Sequence, residues 1–225
     1  MSTHFLKELG NLREHLLTLS ARVEQAVADA IRSVQERNAP LARQVIVQDV
    51  EVDRSEVDIE QECLRTLALH QPVAADLRLV FVVTKIIHDL ERIGDLARHI
   101  AAHAVRLAAA PEAPFPPQFP AMASAAQKML KQSIDAFVSQ DSSVAYAVLA
   151  ADDAVDDLYH EAFDWCVQAL QERPENPDLI IQCLAAARHL ERTADHATNI
   201  AEDVIYLLDG EIVRHRRLPA VPSPL

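Results

Sequence analysis

Two short acidic motifs hold the residues most able to do chemistry. Glu91 and Asp95 stand four residues apart, and so do Glu191 and Asp195. On a helix this spacing sets both carboxylates one turn apart on the same side. Like charges so placed cost an isolated helix roughly a few tenths of a kcal/mol. A cation, or an arginine from a neighbour, removes that cost. Oxygen-rich sites favour hard cations such as Mg²⁺ and Mn²⁺, with iron where imidazole joins. His99 and Asn199 lie one further turn along and offer a third donor in each copy. The alternative is that these are solvated acids paired with Arg92, Arg98, Arg188 or Arg192.

The two motifs are copies. Residues 87–101 return as 187–201, with Leu90, Glu91, Arg92, Asp95, Ala97, Ile100 and Ala101 matched in type one hundred positions later. Upstream, Asp49/Asp152, Asp53/Asp156, Cys63/Cys166 and Leu67/Leu170 are all 103 apart. The second copy therefore has three fewer residues in the turn between its second and third helices, the kind of place where a length change is tolerated. Asp49, Asp53, Glu56 and Glu60 share one helix face. The second copy keeps Asp152 and Asp156, while Tyr159 and Phe163 replace the later acids and Asp153, Asp157 and Glu161 form a neighbouring stripe. Asp49, Asp53, Asp152 and Asp156 are candidate donors that would complete a metal site from an adjacent helix; a solvent-facing stripe is the other reading. His88, His189 and His196 lie near the acid pairs but change type between copies, and are read as surface or capping residues.

Apolar periodicity supplies the elements that must position these groups. A first helix spans about 5–37, with Leu9, Leu12, Leu16, Leu19, Val23, Val27, Ala30 and Val34 at three- and four-residue steps, and Asn38-Ala-Pro40 ends it. A second runs from about Leu41 to Leu69 and a third from near Ala75 to Ala109. The seam of the third is Val80, Val83, Ile87, Leu90, Gly94, Ala97, Ala101 and Ala104. After five prolines within 111–120, helices are predicted over 121–139, to about Glu172 after a break at Asp141-Ser-Ser143, and over Asp178–Asp209, with Gly210 as the stop. The expected fold is all-α, a tandem duplication of two antiparallel three-helix bundles. Its parts are residues 1–109, a proline-rich linker at 110–120, a second bundle at 121–213 and a disordered tail at 214–225.

Composition agrees. Three glycines and 4% aromatics in 225 residues, half of them hydrophobic, favour helices over sheets. A net charge of −13 argues against nucleic acid and against unassisted adsorption to anionic lipid. There is no secretory signal and no apolar run long enough to span a membrane, which reads as a cytoplasmic protein. Cys63, Cys166 and Cys183 fall in the apolar periodicity and read as core thiols.

No Glu-x-x-His, nucleophile elbow, Walker loop or Gly-x-Gly-x-x-Gly occurs, so the chain is not expected to be an enzyme. The alternative is a metal-dependent phosphatase-like or other di-metal helical enzyme, which would need two ions ~3.5–4 Å apart in an open pocket.

The segments Asp49…Asp53-x-x-Glu56, Gln71-Pro-Val-Ala-Ala-Asp-Leu-Arg78 and Asp89-Leu-Glu-Arg-Ile-Gly-Asp95, with the copy Arg188-His-Leu-Glu-Arg-Thr-Ala-Asp195 and its continuation to Tyr206, resemble the PhoU family of phosphate-signalling regulators. The resemblance spans about residues 5–210. It implies cytoplasmic proteins of two three-helix bundles, often homodimers, that bind metal through Glu91/Asp95 and Glu191/Asp195. It implies negative regulation of phosphate uptake and of the phosphate-starvation response. The implied partners are the cytoplasmic components of the high-affinity phosphate ABC transporter and a sensor histidine kinase, with membrane association only through them. Two departures stand out: Thr193-Ala194 where the family usually has Ile-Gly, and His99 where it commonly has Asn.

Overall fold

A computed structural model of the chain describes residues 3–110, 115–172 and 177–213. Six helices follow in order: α1 Thr3–Gln35, α2 Ala39–His70, α3 Ala74–Leu107, α4 Phe119–Ser139, α5 Ser142–Glu172 and α6 Pro177–Asp209. Each predicted helix is present, with ends shifted by a residue or two. The shifts have local causes. Asn38 both closes α1, its N–H returning to Ser33 O at 2.9 Å, and caps α2, its side chain accepting from the Leu41 backbone N–H, with Pro40 in the first turn where a missing N–H costs nothing. Pro120 likewise lies inside the first turn of α4. Before α5 the capping group is the Asp141 carboxylate rather than a hydroxyl, accepting from Ser143 N at 2.9 Å and from Ser143 Oγ at 2.7 Å. Gly210 ends α6 in the left-handed region at φ +72° and returns its N–H to Tyr206 O.

The seams read from the sequence are buried throughout α1 and α3, and α6 buries the equivalent positions Ile180, Cys183, Ala187, Leu190, Ala194, Ala197, Ala201 and Val204. The helices pack as two copies of one arrangement: α3 against α1 and α2, and α6 against α4 and α5. In addition α3 packs on α6, and α1 on α4. One hydrophobic cluster accordingly runs through all six helices, with α2 and α5 as outer helices that touch only their own repeat. Those outer helices carry the acidic stripes. Residues 111–114 of the proline-rich stretch and the expected tail at 214–225 lie outside the described residues. Among the described helices none is long and apolar enough to cross a membrane. All three cysteines are buried and free.

Candidate metal site

In the first repeat α3 turns Glu91 and Asp95 towards the acidic stripe of α2. Gly94 lets the two helices approach: a Cβ there would meet Val52 Cγ1 at 3.0 Å and Asp49 Oδ1 at 3.6 Å. At this crossing Arg98 donates from Nε to Asp49 Oδ2 at 2.7 Å and from NH2 to Asp95 Oδ1 at 2.7 Å. Arg92 stands 3.5 Å from Glu91 Oε2 and 3.8 Å from Asp95 Oδ2, and His88 Nδ1 lies 3.6 Å from Glu56 Oε1. Burial raises the pKa of Asp49, with Arg98 pulling it down and Asp53 and Asp95 pushing it up. Burial raises Glu91 too, against the pull of Arg92.

The second repeat builds the same crossing without the same cations. Asp152 and Asp156 on α5 face Glu191 and Asp195 on α6, and Glu191 is only 8% exposed. Burial, then the charge of Asp195, pushes Glu191 up to about 7, with Arg188 opposing. Burial, then Asp156 and Asp195, lifts Asp152 to about 6. Arg188 NH1 donates to Glu191 Oε1 at 2.5 Å, while its guanidinium sits over the Tyr159 ring at 5.3 Å. The contact of His88 with Glu56 is thus replaced, at the equivalent positions, by a cation–π contact of Arg188 with Tyr159. Glu191 Oε2 and Asp152 Oδ1 are buried without a hydrogen-bond partner.

Seven expected donors therefore gather at the two crossings: Asp49, Glu91 and Asp95 in one, Asp152, Asp156, Glu191 and Asp195 in the other. Asp53 joins the first from an exposed position at its edge. Asn199 instead makes its contact where α3 meets α6, and His99 does so too while its Nε2 also lies 3.4 Å from Arg98 NH2. The His99 ring stacks on His189 at 5.2 Å between centroids, and Asn199 Nδ2 donates to Asp89 Oδ1 at 3.4 Å. His189 and His196 are not the surface or capping residues expected. His189 lies between the rings of His99 and His103, and burial, with its imidazole neighbours, drives its pKa down to about 4. His196 Nδ1 pairs with Asp89 Oδ1 at 2.8 Å. A signal for this interface existed: positions 89/189 and 103/203 exchange acid for histidine between the repeats.

Sequence reading missed one further cluster. His4 and Glu8 on α1 meet His70 at the end of α2, with donor atoms within 4.8 Å of one another. His70 Nε2 stands 2.5 Å from Glu8 Oε2, a direct hydrogen bond that ties the ends of these helices together. His4 and Glu8 are one turn apart, but His70 comes 62 residues after Glu8, and only the packing of α1 on α2 joins them.

A hard divalent cation needs several carboxylate oxygens free to converge. The second repeat meets that requirement in chemistry: four carboxylates, two of them with orphaned buried oxygens. No three of these four have donor atoms within 4.8 Å, since His4, Glu8 and His70 alone do so among the described residues. Closure on an ion therefore calls for side-chain rotation. In the first repeat Arg98 already occupies oxygens of two of the acids, while Glu91 Oε2 is buried without a hydrogen-bond partner.

The family model described as the PhoU domain matches residues 16–104 and again 119–204, once for each repeat. The chain is 39% identical over 216 residues to the phosphate-specific transport system accessory protein PhoU homolog of Pseudomonas aeruginosa, covering 96% of this chain and 89% of that one. It is 33% identical to the phosphate-specific transport system accessory protein PhoU of Escherichia coli, with the same coverage. The crystal structure of PhoU from Pseudomonas aeruginosa superposes with a TM-score of 0.90 at 38% identity, over 92% of this chain and all of that one. The phosphate transport system regulatory protein PhoU from Streptococcus pneumoniae superposes at 0.87 with 29% identity, over 93% of this chain and 99% of that one.

Proposed function

The chain belongs to the PhoU family, and from that membership we propose that it is a cytoplasmic negative regulator of phosphate uptake and of the phosphate-starvation response. The observation that carries the reading is the family match on both repeats, with relatives named accessory proteins of a phosphate-specific transport system. In this reading the protein works by docking rather than turnover. It couples the cytoplasmic components of the phosphate ABC transporter to a sensor histidine kinase, as a homodimer. It acts only if it binds one state of the kinase better than the other. Carrying an equilibrium from 1:99 to 99:1 takes a preference of about 10⁴-fold.

We assign the divalent metal, Mg²⁺, Mn²⁺ or iron, to the acid crossings. Glu191, Asp195, Asp152 and Asp156 would hold it in the second repeat, where their charge is least compensated. A bound cation supplies positive charge that offsets the mutual repulsion of these acids and offers open coordination positions to a partner's carboxylates. Glu191 and Asp195 set the spacing along α6, and the α5 pair closes the site from the side.

Affinity capture of tagged protein from native cells, phosphate-replete and phosphate-starved, tests the regulatory reading. Recovery of a phosphate-transporter ATPase or a sensor kinase, varying with phosphate, is the expected result. Recovery of neither under mild crosslinking, in both conditions, would overturn it.

A further inference from the structure

The two repeats provide an internal comparison at a single position. Arg98 and Thr198 are one hundred residues apart, each three residues after the aspartate of its motif. Arg98 reaches across to α2 and joins Asp49 to Asp95 through two contacts of 2.7 Å. Thr198 turns its hydroxyl back to the Asp195 carbonyl at 2.7 Å and gives the carboxylates nothing. The difference matters because a guanidinium and a divalent ion compete for the same lone pairs. Arg98 uses Nε and NH2 on two different acids, so it takes the place of a bridging cation rather than of a peripheral counterion. An arginine is never deprotonated in this setting, so the first crossing holds that charge permanently. The second crossing has its nearest arginine, Arg188, on Glu191 Oε1 alone, and leaves Glu191 Oε2 and Asp152 Oδ1 buried and unpartnered. The first crossing also has a buried oxygen without a hydrogen bond, Glu91 Oε2 beside Arg92 at 3.5 Å, so the difference between the two lies in the Arg98 bridge from Asp49 to Asp95.

We infer that the two acid crossings are not equivalent: Arg98 acts as a tethered cation that shuts metal out of the first repeat, and the second repeat is the one that takes a divalent ion. This inference rests on the assignment of metal to the acid crossings. It makes the protein asymmetric along its length despite its duplication. The first crossing is bridged constitutively by its own side chain, and the second has a place where a divalent cation would offset its acids. A partner that reads metal through this protein would therefore read it at the α5/α6 crossing.

The test is Mn²⁺ binding to full-length, chelator-treated protein, measured by equilibrium dialysis with elemental analysis and by calorimetry. Five chains are compared: unmodified, Glu91→Gln/Asp95→Asn, Glu191→Gln/Asp195→Asn, Arg98→Thr, and Arg98→Thr together with Glu91→Gln/Asp95→Asn. Arg98→Thr copies the residue that the second repeat already accommodates, and circular dichroism checks its fold. Binding by the unmodified chain should survive Glu91→Gln/Asp95→Asn and vanish in Glu191→Gln/Asp195→Asn. Arg98→Thr should double the bound Mn²⁺, and adding Glu91→Gln/Asp95→Asn to it should remove the gain. If the unmodified chain loses half its Mn²⁺ through Glu91→Gln/Asp95→Asn, both repeats bind metal and the exclusion by Arg98 is wrong, while the metal assignment stands. If no chain binds Mn²⁺, Arg98→Thr included, the metal assignment itself falls and the inference with it.

Discussion

Arg98 and Asp49 lie 49 residues apart in sequence, yet the Arg98 Nε–Asp49 Oδ2 contact of 2.7 Å closes the α2/α3 crossing of the first repeat. Asp49 is half-buried beside Asp53 and Asp95, so removing the guanidinium leaves three acids facing one another. The Arg98 side chain is 36% exposed, and solvent screening holds the pair to about 1 kcal/mol. A double-mutant cycle of Asp49→Asn and Arg98→Met in urea should return a coupling of that size. A coupling indistinguishable from zero would mean that the bridge adds nothing to stability.

Glu191 makes the metal-free protein sensitive to pH. Its carboxyl keeps its proton up to about 7 in the folded chain, against an ordinary value of 4.5. Between those two values the folded state holds a proton that the unfolded state has released. Stability contributed by the protonated group is therefore complete below about 4.5 and is lost as pH rises to about 7. Metal ligation needs the deprotonated form, so Mn²⁺ affinity should climb across the same window with release of protons. The melting temperature of Glu191→Gln, taken without metal from pH 5 to 8, should fall less than that of the unmodified chain. An equal fall in both would place the titrating group elsewhere.

The helices and their seams were legible because each depends on spacing within a single stretch of chain. The three residues missing from the second copy were expected in the turn but instead shorten the start of the third helix: α3 begins at Ala74, while α6 begins at Pro177, three residues later in the repeat register. The seam Val80, Val83, Ile87, Leu90 is buried as read. Leu79, Val82, Ile86, Ile93 and Ile100 are buried as well, and they give α3 a face wide enough for partners on more than one side. That second stripe announced the packing of α3 on α6. The two bundles are thereby joined through a hydrophobic cluster shared by all six helices. The acid pairs were legible for the same reason as the seams. That Arg98 rather than Arg92 would bridge to α2 was not, since it depends on how two helices cross, and Gly94 alone hinted at how near they come.

His189 predicts an acid limb. Burial between His99 and His103 holds it neutral, with a pKa of about 4 against the ordinary 6.5. The folded chain therefore refuses a proton that the unfolded chain accepts. Its contribution to stability is complete above about 6.5 and drains away as pH falls towards 4. His99 and His103 are lowered in the same direction by burial. His189→Phe keeps a ring in the stack and removes the titration. Its melting temperature should drop less between pH 7 and 5 than that of the unmodified chain. An unchanged slope would exclude His189 as its source.

Lys85 and Asp203 tie the repeats together where α3 meets α6. Asp203 is 2% exposed, and Lys85 Nζ donates to its Oδ1 while also lying 5.9 Å from the centre of the Phe81 ring. Asp89 is close enough to push against the Asp203 charge, so the lysine opposes a repulsion as well as a desolvation. Burial, then the charge of Asp89, pushes Asp203 up to about 8. Lys85→Met, which retains most of the stem, therefore strands a charge only above about that pH, where it should cost about 3 kcal/mol. At roughly 2–4 °C per kcal/mol for a chain of this size, that is a clear fall in melting temperature. Lys85→Met/Asp203→Leu removes the stranded charge along with its partner and should recover most of the loss, because an apolar pair of similar volume replaces an ion pair at little net cost. If the double variant is no more stable than Lys85→Met, the loss comes from packing around the lysine stem and not from the uncompensated carboxylate.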